Sequence, residues 1–85
     1  MDDACITAVI LGLLNHRDAA ASACPSEVAR TLGDERQWRT LMPRIREVLV
    51  ELIKQQRVIA TRGDRELQPE ELSGGPIRIR RGRKF

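Results

Sequence analysis

The residues best equipped for chemistry in this sequence are its arginines. Thirteen of the fifteen cations are Arg, with Lys only at positions 54 and 84. A guanidinium fork matches phosphate and carboxylate oxygens better than an ammonium does. The placement is uneven: residues 76–85 carry Arg78, Arg80, Arg81, Arg83 and Lys84 with no acid, whereas residues 1–75 hold ten bases against twelve acids. A mildly acidic body therefore carries a basic end, a pattern that suits a polyanionic partner or the pairing of body and end between two chains.

Other chemistries find little to work with. One His (His16) and two Cys (Cys5, Cys24) fall short of the four ligands of a structural zinc site. Cys24 sits at an expected helix start, but the nearest base in sequence is His16, eight residues upstream. Capping or packing is therefore the expected role of that thiol. No nucleotide-binding glycine spacing occurs, and Gly74-Gly75-Pro76 ends in a residue without an N–H, a poor phosphate cradle. The aromatics are Trp38 and Phe85, too few for the stacking platforms of single-strand binders. No enzyme activity, metal or cofactor is expected. No apolar run approaches the ~18–20 residues of a membrane span. Met1-Asp2-Asp3 is acidic where a secretory signal would be basic, so the expected location is the cytoplasm, where both thiols stay reduced.

These side chains need a scaffold, and 85 residues with 41% apolar and 32% charged content allow one small globular domain. Ile6, Val9, Ile10, Leu13 and Leu14 form one helical face, with Asp2 and Asp3 at its start and His16 and Arg17 at its end. Cys24-Pro25-Ser26-Glu27 opens a second helix with capping-box spacing; Val28, Ala29 and Leu32 face inward and Gly33 stops it. A third helix carries Trp38, Leu41, Met42, Ile45, Val48, Leu49, Leu52 and Ile53 on one face. Pro43 interrupts it, which predicts a bent or two-piece element. Val58 to Thr61 reads as a strand followed by a turn at Gly63-Asp64. Residues 64–75 read as loop with a single turn at Pro69 to Leu72. Residues 76–80 alternate, with Ile77 and Ile79 on one face and Arg78 and Arg80 on the other. One core is expected from Leu13, Val28, Leu32, Trp38, Leu41, Ile45, Leu49, Ile59 and Ile77.

This order predicts a mainly α fold with a small β-hairpin: three helices plus a two-stranded wing. The domain is expected to span 1–81, with 82–85 a frayed basic tail. Cys24-Pro25-Ser26-Glu27-Val28-Ala29-Arg30, Trp38-Arg39-x-Leu41-Met42-Pro43-Arg44-Ile45-Arg46 and Gly75-Pro76-Ile77-Arg78-Ile79-Arg80 resemble an uncharacterised bacterial family of small winged-helix domains. The resemblance runs over nearly the whole chain and implies the winged helix-turn-helix fold, with no assigned activity. It departs at Gln55-Gln56-Arg57, where the family usually has a Gly between the long helix and the first strand.

In a winged helix the outward N-terminal half of the third helix enters the DNA major groove. That face holds Arg36, Arg39, Thr40, Pro43 and Arg44, with Arg46 at its edge, diluted by Glu35, Glu47 and Glu51. The plain alternative is a solvated face in which Arg44 and Glu47 pair at i,i+3. Arg78, Arg80 and Arg81 make a basic wing suited to phosphate, or a charged edge that blocks strand-to-strand aggregation. The leading expectation is a non-enzymatic module binding double-stranded DNA mainly through phosphates. The alternative is a protein–protein adaptor on the same fold without DNA binding, including a homodimer, with Val50 on its outward side.

Overall fold

The computed structural model describes residues 2–33, 36–73 and 75–85; Glu35 and Gly74, used above, lie outside them. The chain runs α1 (Asp3–Asn15), α2 (Pro25–Leu32), α3 (Trp38–Lys54), β1 (Val58–Arg62), β2 (Arg65–Glu66), a single 3-10 turn (Pro69–Glu71) and β3 (Arg78–Arg81).

Local chemistry sets the helix ends. Asp2 caps α1, its Oδ1 accepting the Cys5 N–H at 2.8 Å. That bond holds the Asp2 carboxyl below its usual range. At α2, Glu27 reaches back to accept the Cys24 N–H at 3.0 Å, and Pro25 occupies the first turn, where its missing donor costs nothing. Helix α3 is one continuous element, not two pieces, with Pro43 inside it. Proline removes one backbone donor near the exposed start of the helix, and the buried run from Ile45 to Leu52 outweighs that loss. The helix ends in a Schellman turn: Gln56 N–H donates to the Ile53 carbonyl and Arg57 N–H to the Leu52 carbonyl. Gln56 consequently takes φ +63°.

The sheet has three antiparallel strands in the order β2-β1-β3, one more than expected. The extra strand arises because the two-residue turn at Gly63-Asp64 returns the chain alongside β1, pairing Arg62 with Arg65 and Thr61 with Glu66. Strand β1 then pairs with β3, from Val58 opposite Arg81 to Thr61 opposite Arg78. Ala23, in the connection between α1 and α2, bridges Ile79 through two backbone bonds of 2.7 and 2.8 Å. Strand β3 is thus flanked on both sides. The charged outer strand is β2, whose Arg65 and Glu66 are exposed.

Three helices and the sheet close over one core. Ile6, Ile10, Leu14, Val28, Ile45, Leu49, Val58 and Ile79 are its largest fully buried side chains. Leu13, Leu32, Trp38 and Leu41 pack at its margin. Ile59, expected inside, faces outward because the strand period puts Val58 and Ala60 inward. Ile77 and Ile79 are buried while Arg78 between them is exposed, as their alternation required. Residues 82–85 make contacts back to the rest of the fold. Gly82 N–H donates to Arg57 and Lys84 N–H to Gln56, and the Arg81 guanidinium lies 4.7 Å over the Phe85 ring. Gly82 sits so close to the α3–β1 junction that a Cβ there would lie 2.4 Å from the Gln56 oxygen.

Candidate nucleic-acid interface

The expected contact residues divide by partner. At the start of α3, Arg39 and Thr40 are exposed, and Thr40 Oγ1 donates to the Gln37 carbonyl at 2.7 Å. Arg36 is exposed as well, and has its own partner. Arg44 is committed elsewhere: it pairs with Asp3 of α1 at 2.7 Å and with Glu47 at 2.6 Å. The plain i,i+3 reading of Arg44 and Glu47 therefore holds, with a second carboxylate added. Arg46 is half-buried.

The strand arginines fold back on the chain. Arg78 Nε donates to Ser22 Oγ at 2.8 Å. Arg80 donates to the Ala20 carbonyl at 2.6 Å. Arg81 donates to the carbonyls of Leu14 and Arg17 at 3.0 and 2.9 Å, supplying donors where α1 runs out of its own. These three cations, read in the sequence as a basic wing or a charged edge, fasten the connection between α1 and α2 to the sheet. Arg17 joins them, donating to the Ser22 carbonyl and pairing with Glu27. The Arg17 guanidinium, and then the Cys24 N–H, hold the Glu27 carboxyl below its ordinary value.

A pair that the sequence left unnoticed lies at the α2–α3 junction. Arg30 from α2 and Arg39 from α3 place their guanidiniums 4.9 and 5.1 Å from the centroid of the Trp38 ring. Each distance is within cation–π range. Both arginines are exposed, and neither makes an ion pair among the described residues. Trp38 is half-buried, one edge on the core and its ring under the two cations. Helical periodicity places Arg30 outward on α2, but its approach to Trp38 depends on how the two helices cross.

Cys24 Sγ lies 3.0 Å from Ser26 Oγ, and Cys5 is exposed on α1. Among the described residues no three His, Cys, Asp or Glu side chains gather as metal ligands, and no helix is long and apolar enough to cross a membrane. Val50, expected outward, packs partly on the core.

Comparison with known families settles the affiliation. Residues 3–82 match the family described as protein of unknown function (DUF3253). The chain belongs to this family. No curated protein matches the sequence. The family description assigns no activity, so function must be argued from the arginines themselves.

Proposed function

We propose that this DUF3253 domain is a winged-helix module that binds double-stranded DNA, mainly through backbone phosphates. The observation that carries the reading is the Arg30–Trp38–Arg39 stack. Two exposed guanidiniums without carboxylate partners among the described residues sit where α2 meets the N-terminal half of α3. In a helix-turn-helix unit this is the region that faces the DNA backbone and major groove. The fold supports the assignment: three helices precede an antiparallel β1–β3 pair whose long connection forms the wing, and Ala23 adds the short strand contact between the first two helices. Trp38 fixes both cations over an apolar ring, so less side-chain freedom is lost when phosphate binds.

Arg78, Arg80 and Arg81 contribute differently. Their acceptors are mainly neutral carbonyls, which leave the positive charge uncompensated, so they supply field more than free contacts. Arg44 supplies little of either, lying between two carboxylates.

The test is a duplex titration read by the fluorescence of Trp38, the single tryptophan. Neutralising about four phosphates predicts a log–log salt slope near −3.6, at about −0.9 per contact. Arg30→Glu and Arg39→Glu should each weaken binding at fixed salt. Absence of duplex binding at about 50 mM salt, where electrostatic affinity is strong, overturns the reading and leaves the protein-adaptor alternative.

A further inference from the structure

We propose that the cleft between the end of α3 and the sheet binds a small zwitterion, an α-amino acid with an aliphatic side chain. The cleft has a volume of about 430 Å³, within the ~300–1,000 Å³ of small-molecule sites. Ile53 lines it from the last turn of α3 and Gln56 from the turn that follows. Ile59 lines it from β1, Glu66 from β2 and Arg83 from the segment after β3. Two aliphatic chains, a carboxamide, a carboxylate and a guanidinium therefore meet in one place.

The isoleucines select an apolar group. Both are half-buried, so each keeps aliphatic surface at the cleft. The strand period turns Ile59 outward while Val58 and Ala60 take the inward positions, and Ile59 does not pack on the core. An aliphatic side chain laid over Ile53 and Ile59 would remove that surface from water.

The charges select the rest of the ligand. Glu66 and Arg83 are exposed and opposite in sign, yet neither makes an ion pair among the described residues. A simple anion would be repelled by Glu66, and a simple cation by Arg83 and the adjoining Arg81. A zwitterion suits both signs. Its carboxylate accepts from the Arg83 guanidinium, its ammonium donates to the Glu66 carboxylate, and the Gln56 carboxamide can donate or accept beside them. The cleft lies at the opposite end of α3 from Trp38, about 22 Å of helix away at about 1.5 Å per residue. The inference therefore does not rest on DNA binding.

Titration of the isotope-labelled full chain with L-leucine, followed by amide chemical shifts, tests it. About 10 mM leucine fills about nine-tenths of a site of millimolar Kd. The amides of Ile53, Gln56, Ile59 and Arg83 should shift saturably while those of Arg30 and Arg39 stay in place. Glycine should bind about tenfold more weakly, for want of the aliphatic chain. L-Leucinamide lacks the carboxylate and N-acetyl-L-leucine the ammonium; each should bind about two- to fivefold more weakly. Glu66→Gln and Arg83→Gln should weaken leucine by the same factor, with the remaining amide spectrum unchanged. No saturable shift at the cleft amides overturns the proposal, as does leucine binding that neither variant weakens. Either derivative held as tightly as leucine would overturn the charge assignment, and glycine held as tightly would overturn the aliphatic one.

Discussion

Gln56 offers a direct measurement of backbone strain. Its φ of +63° places an L-residue in the left-handed region, where the clash between Cβ and the backbone costs about 1–2 kcal/mol. The conformation is imposed by the Schellman turn, since Gln56 and Arg57 must donate back to Ile53 and Leu52. It is held from the other side as well, because the Gln56 carbonyl accepts from Lys84. The side chain is exposed and makes no hydrogen bond among the described residues, so removing it sacrifices little packing. Gln56→Gly should therefore relieve the strain while adding about 0.5–1 kcal/mol of unfolded-state entropy. The expected net gain is about 0.5–1 kcal/mol. For a domain of this size that is a rise in Tm of about 2–8 °C. Urea unfolding followed by circular dichroism gives the same quantity, with an unchanged slope confirming that only stability moved. The series Gly, Asn, Gln, Val should fall in that order, because Asn tolerates the left-handed region and a β-branched residue does not. Equal stability of the Gly and Gln proteins, or a Val variant as stable as wild type, would refute the argument and with it this path of the chain into β1.

Two further outcomes follow from burial and charge. Ile45 is fully buried at the centre of α3, so Ile45→Ala should cost about 2–5 kcal/mol in denaturant unfolding; a change below about 0.5 kcal/mol would mean the helix register through Pro43 is wrong. Glu27 titrates below its ordinary 4.5 in the fold, so its ionised form stabilises the protein above that pH and the benefit is lost as pH falls through the lowered value; the stability gap between wild type and Glu27→Gln should be constant near neutrality and close in acid.

The helices were legible because their signals are local. Asp2 and Asp3 at the start of α1, Pro25 with Glu27, and the apolar face from Trp38 to Ile53 each act within a few residues, and each appears where the sequence put it. The sheet was half legible. Alternation placed Ile77 and Ile79 correctly, but the short run Val58 to Thr61 fits either face, and Ile59 went outward because α3 covers the other side. The Ala23–Ile79 bridge joins residues 56 apart in a stretch with no strand pattern, so nothing local marks it. Strand β2 is two residues long, too short to show a period.

The candidate interface was less legible for a related reason. Counting cations in sequence treats every arginine alike, whereas the fold sorts them by acceptor. Arg44 lies between Asp3 and Glu47, so its charge is largely cancelled and its donors are occupied. Arg78, Arg80 and Arg81 have their donors on the chain's own oxygens, mainly carbonyls, so their charge survives while their freedom does not. Arg30 and Arg39 retain both, being held only against a ring. Charge reversal at Arg78 or Arg80 would release the α1–α2 connection and lower the field together, mixing a folding effect with a binding effect. Reversal at Arg39 removes a surface cation–π contact, worth about 0.5–1 kcal/mol at an exposed site, and at Arg30, in the last turn of α2, it also opposes the helix dipole by about 0.3–1 kcal/mol. Arg39, on the Trp38 ring, is therefore where the proposed DNA contact can best be tested apart from stability.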